Sequence, residues 1–412
     1  MIQYIFSSLF FLSLLLFIYI KLRYPFWNNQ PVFHTYDYWR YFYSIPFIVY
    51  KYRPIKTKYC DFQQIETISY IDCTDYNKKQ LINLLQCYYI PSERILHKIT
   101  NDELDIIFSG TSEPSYISLF YDKLFQNNNG DTELIINPNA SGCVMSRAFN
   151  MFYRPTLSES TYITENIYFI DYLCVNRNRD VTKLNRMLLQ THEYNQRIQN
   201  PNIKISLIKK EINLFEGIIP IVKYKTITYY YDCLKPLILP QHFILSNIDN
   251  TNLHLLTDFL YNQTHTIYDT KPCLFDLCIL QNASYYNSLI KKGIIYIYCL
   301  RNREQIHGFY FFKNTYTEYD DMEGDSLQLY ASIMNTSSML LFYNGFHNSI
   351  YQILKNKNNF KLLTIENIGH NTFLMPYLSK NHIIFNNDTA YYLYNMVYPR
   401  SPLLPERCLF LI

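Results

Sequence analysis

Cysteine and histidine are the side chains best suited to hold a metal ion, and the chain carries 10 of each. Their spacing argues against that use. No two cysteines form a C-x-x-C pair, and the closest, Cys273 and Cys278, have no histidine pair at a zinc spacing nearby. The cysteines read as reduced, mostly buried thiols of a cytosolic protein, and no metal is expected. N-x-[ST] sequons at Asn139, Asn262, Asn282, Asn335 and Asn387 arise by chance in a chain so rich in Asn. Net charge is only +3, so no strong field points to nucleic acid.

Any functional group must be held in place by regular elements, and those are the next features the sequence offers. With 412 residues, 49% of them hydrophobic, the chain can bury a large core and suggests two domains or more. Ile167–Val175 is β-branched and aromatic and reads as a buried strand. Asp180 can cap a helix in which Leu184, Leu188, Thr191, Tyr194 and Ile198 recur at helical spacing. Gly293–Leu300 and Ile306–Phe312, joined by a polar turn, read as a β-hairpin. A helix over Leu340–Leu354 and a strand over Lys361–Ile365 come after it. The two halves share this rhythm of strands, helix, strand, which suggests two duplicated α/β units. Their junction is expected in the loop-prone stretch Pro236–Asn250, giving units over 23–235 and 236–412.

Residues Met1–Ile20 carry no charge and are long enough to span a bilayer as a helix. Lys21 and Arg23 stand directly after them, so the positive-inside rule places the rest of the chain in the cytosol. A cleaved signal peptide, which lacks its basic start and small-residue cleavage site here, and a helix buried on the protein are the alternatives.

Several segments resemble the eukaryotic-type N-myristoyltransferases. Arg23-Tyr-Pro-Phe-Trp-Asn-Asn-Gln-Pro-Val32 is similar to that family's R-Y-x-F-W-[DN]-x-Q-P-V. Tyr172-Leu-Cys-Val175 resembles F-L-C-V; Tyr229–Pro236 resembles Y-W-H-R-x-L-N-P; Asn371-Thr-Phe-Leu374 resembles N-K-T-F-L. Tyr391-Tyr-Leu-Tyr-Asn395 is identical to the family's Y-Y-L-Y-N, and the chain closes on Leu409-Phe-Leu-Ile412, hydrophobic as in the family. The matches keep one order over residues 23–412.

The resemblance implies two fused acetyltransferase-superfamily α/β units, the first binding acyl-CoA and the second much of a peptide. It implies transfer of myristate from myristoyl-CoA to the N-terminal glycine of other proteins. The thioester oxygen needs fixed donors, which the resemblance assigns to the backbone amides of Tyr172 and Leu173 on a bulged strand. From the residues alone, an ordinary core strand fits equally well. The base it assigns is the terminal carboxylate of Ile412; the alternative is an apolar tail that merely packs on the core. Myristoyl-CoA would contact Tyr24, Pro25, Phe26 and Trp27 on one side. On the other would lie Cys174, Val175 and Val181, Thr182, Lys183, Leu184 and Asn185. Here Val181, Thr182 and Asp180 depart from a more basic family stretch, although Arg177, Arg179 and Lys183 keep the region basic. Peptide-binding positions carried over are Tyr88, Tyr89, Glu93, Phe215, Gly217, Tyr231, Asn386 and Asp388, which are less acidic than the family pattern. The resemblance also implies a monomer. Two other readings stay open: another N-acyltransferase of the superfamily, and a membrane-anchored binding protein without activity.

Overall fold

The structure is a computed structural model that describes residues 2–43, 45–90, 95–128, 131–156, 161–231, 235–265, 274–319, 322–357, 359–378 and 382–412. Its elements run α1 (Ile2–Arg23), β1 (Phe47–Ile48), β2 (Ile65–Ser69), α2 (Asp75–Tyr88), β3 (Ile95–His97) and α3 (Asn101–Ser109). Then come β4 (Tyr116–Asn128), β5 (Asp131–Tyr153), β6 (Ile163–Val175), α4 (Val181–Gln199), β7 (Ile205–Glu211) and β8 (Val222–Tyr230). The second half holds β9 (Phe243–Asn247), α5 (His254–His265), β10 (Leu277–Leu280), α6 (Ala283–Lys292), β11 (Ile295–Asn302), β12 (Gln305–Tyr319) and β13 (Met322–Met334). It closes with α7 (Met339–Asn356), β14 (Phe360–Glu366), β15 (Ile383–Tyr394), β16 (Met396–Val397) and β17 (Cys408–Phe410).

The strand 163–175, the helix capped by Asp180, the hairpin and the 339–356 helix all form where the sequence places them. The Asp180 carboxylate accepts the Lys183 amide at 3.0 Å, satisfying one of the orphan donors of α4. Leu184, Leu188 and Leu189 then turn inward. Ser338 caps α7 in the same way through the Leu341 amide. The stretch around residues 236–250 is not all loop. Five of its residues form β9, which pairs with β11 in register and ends the sheet.

The two halves repeat one pattern. In the first, β5 and β6 pair antiparallel, α4 crosses over, and β7 returns parallel to β6. In the second, β12 and β13 pair antiparallel, α7 crosses over, and β14 returns parallel to β13. One sheet runs through both in the order β17-β10-β5-β6-β7-β15-β8-β14-β13-β12-β11-β9. The late strand β15 lies between β7 and β8, so the halves are woven together at the centre.

Helix α1 stands apart. From Tyr4 its side chains are exposed apart from the half-buried Ile20, with Phe10 at 72% and Leu12 at 64%. The alternative of a helix buried on the protein therefore does not hold. At its foot Tyr24 stacks on Tyr36 (centroids 6.1 Å), and Arg23 pairs with Glu216. Beneath Tyr24 lies Gly217 at φ +81°, where a Cβ would come within 2.6 Å of the Tyr24 ring.

Candidate functional site

The β5–β6 ladder breaks at one point. Met145 pairs with Asp171 and Cys143 with Cys174, so Tyr172 and Leu173 together face the single residue Val144. Tyr172 adopts φ 49°, a conformation unfavourable for a bulky residue. Two opposite one is the geometry of a β-bulge, which turns backbone groups away from the ladder. The Tyr172 amide donates to the Asp171 carboxylate at 3.0 Å. The strand expected from the sequence is thus not an ordinary core strand, and it is irregular at the residues named as donors. The second half has a matching irregularity, where Phe311 pairs with Ala331 and Phe312 with Leu329, leaving Tyr330 between them.

Charges converge near both irregularities. Arg147 on β5 bonds Asp171 at 3.2 Å and also donates to the Tyr285 hydroxyl. Lys209 on β7 pairs with Glu211 at 2.7 Å and with buried Glu366 at 3.0 Å. The Tyr224 hydroxyl donates to Glu366 at 2.6 Å, and the Gln328 amide donates to it as well. Burial alone would depress Lys209, but Glu211 and Glu366 hold it well above the usual lysine range. Lys313 on β12 carries the third cation. Burial pushes its amine down to about 8, with Asp171 and Glu366 opposing the shift and Arg147 and Lys209 adding to it. His97 lies against Tyr89 (5.1 Å) and Tyr172 (6.0 Å), and burial pushes it down to about 4, so it is neutral near pH 7.

The tail reaches this region. β17 pairs parallel with β10, Leu277 with Cys408 and Ile279 with Phe410. The Leu411 amide then donates to the Ile279 carbonyl at 2.9 Å, and Leu409 and Leu411 are buried in the large apolar cluster against which Tyr172 also packs. The tail is therefore a sheet strand and not a surface patch. Lys313 Nζ donates to the Ile412 main-chain oxygen at 3.5 Å.

The positions named for acyl-CoA assemble in part. Phe26, Val175 and Leu184 share one apolar cluster with Trp27 and Leu173, and Arg186 lies over the Phe26 ring at 5.9 Å. Cys174 turns the other way, its thiol 3.5 Å from that of Cys143. Asn185 sits with its side-chain oxygen buried, whereas Val181, Thr182 and Lys183 line the exposed first turn of α4. Pro25 accepts from the Tyr59 hydroxyl at 2.9 Å. Arg179 is engaged by Asp122 at 2.9 Å, and Arg177 donates to the Ile90 carbonyl.

The peptide positions do not form one cluster. Tyr89 packs on Tyr172 at 5.1 Å, and Tyr88 lies in the same apolar group. Phe215 stacks between Trp27 (4.6 Å) and Tyr392 (5.0 Å), beside Gly217 and the foot of α1. Tyr231 follows β8 and lies near His347 of the second half (6.3 Å). Asn386 and Asp388 lie on β15 against β8, with Asp388 paired to Lys223 at 3.0 Å. Glu93 lies outside the described residues. Arg147, Asp171, Lys209, Lys313, Glu366 and His97 carry no signal in the sequence that singles them out.

No family model matches the chain, and no curated protein matches it by sequence. Solved structures do. A Saccharomyces cerevisiae N-myristoyltransferase with bound myristoyl-CoA is similar at a TM-score of 0.66 and 12% identity, over 93% of this chain and 90% of that one. A second structure of that enzyme with myristoyl-CoA gives 0.60 and 12%, over 90% and 92%. A third, with myristoyl-CoA and inhibitors, gives 0.64 and 11%, over 93% and 92%. The chain thus shares its fold with these N-myristoyltransferase structures, with α1 joined to it.

Proposed function

We propose that this chain transfers myristate from myristoyl-CoA to the N-terminal glycine of acceptor proteins. The observation that carries the reading is the charge balance beside the Tyr172 bulge. Arg147, Lys209 and Lys313 face Asp171, Glu211 and Glu366, which match them in number, and the Ile412 carboxylate adds one more negative charge. A single ammonium entering there would neutralise the set.

The glycine ammonium gives a proton to the Ile412 carboxylate, and its nitrogen attacks the thioester carbon. The carbonyl oxygen, now negative, takes the amides of Tyr172 and Leu173, the first of which Asp171 holds in the free site. Collapse of the intermediate breaks the carbon–sulfur bond. The coenzyme A thiolate leaves and takes the second proton from the nitrogen of the new amide, and the proton on the Ile412 carboxyl passes to solvent.

The apolar cluster of Phe26, Trp27, Val175, Leu184 and Leu188 supports a long acyl donor. Each buried CH₂ contributes about 0.8 kcal/mol, so kcat/KM is expected to favour the fourteen-carbon donor over acetyl-CoA by more than about 10³-fold. Purified residues 24–412, labelled donors and glycine-initiated peptides test this. Equal turnover of both donors would sink the myristoyl assignment. A binding protein on the same fold is the second reading, favoured by Asp180, which occupies the Lys183 amide that a phosphate would take. That reading gives acyl-CoA binding without turnover in the same assay.

We further propose that α1 anchors the chain in a membrane with the folded body in the cytosol. Exposed Tyr38, Trp39 and Phe42, which follow in sequence the Tyr36 that stacks on Tyr24, suit the interfacial zone of a bilayer. A reporter fused after residue 24 should fractionate with membranes and stay accessible to cytosolic protease. A cleaved, soluble or lumenal reporter reverses the assignment.

A further inference from the structure

Lys313 has no step in the acyl transfer, yet its amine is enclosed by charged groups from four other strands. It sits directly after the β12–β13 irregularity, and its Nζ lies 5.2 Å over the Tyr330 ring that the irregularity leaves unpaired. Asp171 and Arg147 face it from β6 and β5, Lys209 and Glu211 from β7, and Glu366 from β14. From the tail comes the Ile412 oxygen at 3.5 Å. The tail's ladder ends with the Leu411 amide on Ile279, one residue before the carboxylate, while the Ile412 side chain packs on an apolar cluster.

Resting on the reading of Ile412 as base, we infer that Lys313 is a positioning residue, whose ammonium fixes the Ile412 carboxylate beside the Tyr172 bulge. The contact also sets how that carboxylate behaves. A cation at this distance favours the charged carboxylate, which keeps it ready to accept a proton. The same cation repels an incoming ammonium and so eases its deprotonation.

The clamp depends on pH in one direction. Burial pushes the Lys313 amine down to about 8, and the neighbouring carboxylates resist that shift. The ammonium is present below this value and lost above it, so the carboxylate is held at neutral pH and released at pH 8 or higher. Activity should therefore fall on the alkaline side.

The test uses the full chain with ¹³C-carboxyl isoleucine, in which the terminal carboxylate resonates apart from the amide carbonyls. Lys313→Met should raise the titration midpoint of that resonance. It should also lower kcat at least about 10-fold, with KM for acyl-CoA little changed. Lys313→Arg, whose charge does not titrate, should keep most activity and move the alkaline limb upward. Lys313→Gln, neutral but similar in shape, replaces Lys313→Met if the latter does not fold, with the same expected shift. An unmoved carboxylate midpoint in the neutral variant overturns the inference. So does a wild-type rate that rises through pH 8 and loses this rise in Lys313→Arg, since the amine itself would then be the base. If the wild type transfers nothing, the proposed function fails on its own, and the carboxylate titration still decides what Lys313 does.

Discussion

Appending one glycine after Ile412 is expected to lower kcat by about 10²–10⁴, the scale of general-base catalysis, while myristoyl-CoA binding changes little. The extra residue moves the free carboxylate by about 3.5 Å along an extended chain. Proton transfer needs heavy atoms about 2.6–3.2 Å apart, or one bridging water, so a displacement of that size breaks it. The tail offers no slack to absorb the change, because β17 is locked to β10 and the Leu411 amide to Ile279. Ile412→Leu keeps the carboxylate in place and should retain most activity. Pre-steady-state turnover with saturating donor separates chemistry from binding. An extended variant that turns over at the wild-type rate places the base elsewhere, and His97 and Lys313 are then the groups to examine.

The second large effect concerns stability. Replacing Arg147 by Met should cost about 3–5 kcal/mol, because it strands the Asp171 carboxylate in a region where its side chain is only 16% exposed. Arg147 itself is buried between Phe149 and Phe169, with its guanidinium 5.2 Å and 5.7 Å from their ring centres. The cost therefore comes chiefly from the unpaired charge, since Met refills much of the volume. Adding Asp171→Asn to Arg147→Met removes that charge and should return most of the loss. Denaturant melts of the wild type, both single variants and the double variant measure the coupling. A loss below about 1 kcal/mol for Arg147→Met, or no recovery in the double variant, means that the pair does not hold this region together.

The parts of the fold that were legible in the sequence are those governed by local rules. The cap at Asp180 with Leu184 and Leu188 beyond it names α4 because a carboxylate and an apolar face at 3.6-residue spacing need no distant partner. The hairpin Ile295–Asn302 with Gln305–Tyr319 declares itself in the same way. β9 was missed because five residues between prolines and asparagines carry too little pattern, and β11 supplies the pairing. The charge cluster was illegible for a different reason. Lys209, Lys210 and Glu211 are three consecutive charges in sequence, and nothing local reveals that Lys209 turns inward to a glutamate 157 residues away. The Tyr172 bulge came from family resemblance alone, since its register shift depends on β5. Lys313, one cation among aromatic and polar neighbours in sequence, acquires its role only when the tail arrives beside it.

The foot of α1 leaves no leash between helix and body. Arg23 is paired with Glu216, and Tyr24 is already stacked on Tyr36 and seated on Gly217. A flexible spacer of roughly ten residues would let a catalytic body roam about 17 Å from its anchor. Here the excursion is set by the helix itself. If α1 anchors the chain as proposed, the Tyr172 site rides at one altitude above the headgroups and in one orientation. Acceptors are then selected by reach: a glycine must be presented at that altitude, on a segment long enough to span the gap. On that proposal the search for substrates would be two-dimensional, and lengthening the junction after Arg23 should broaden the range of membrane-bound acceptors without touching the chemistry.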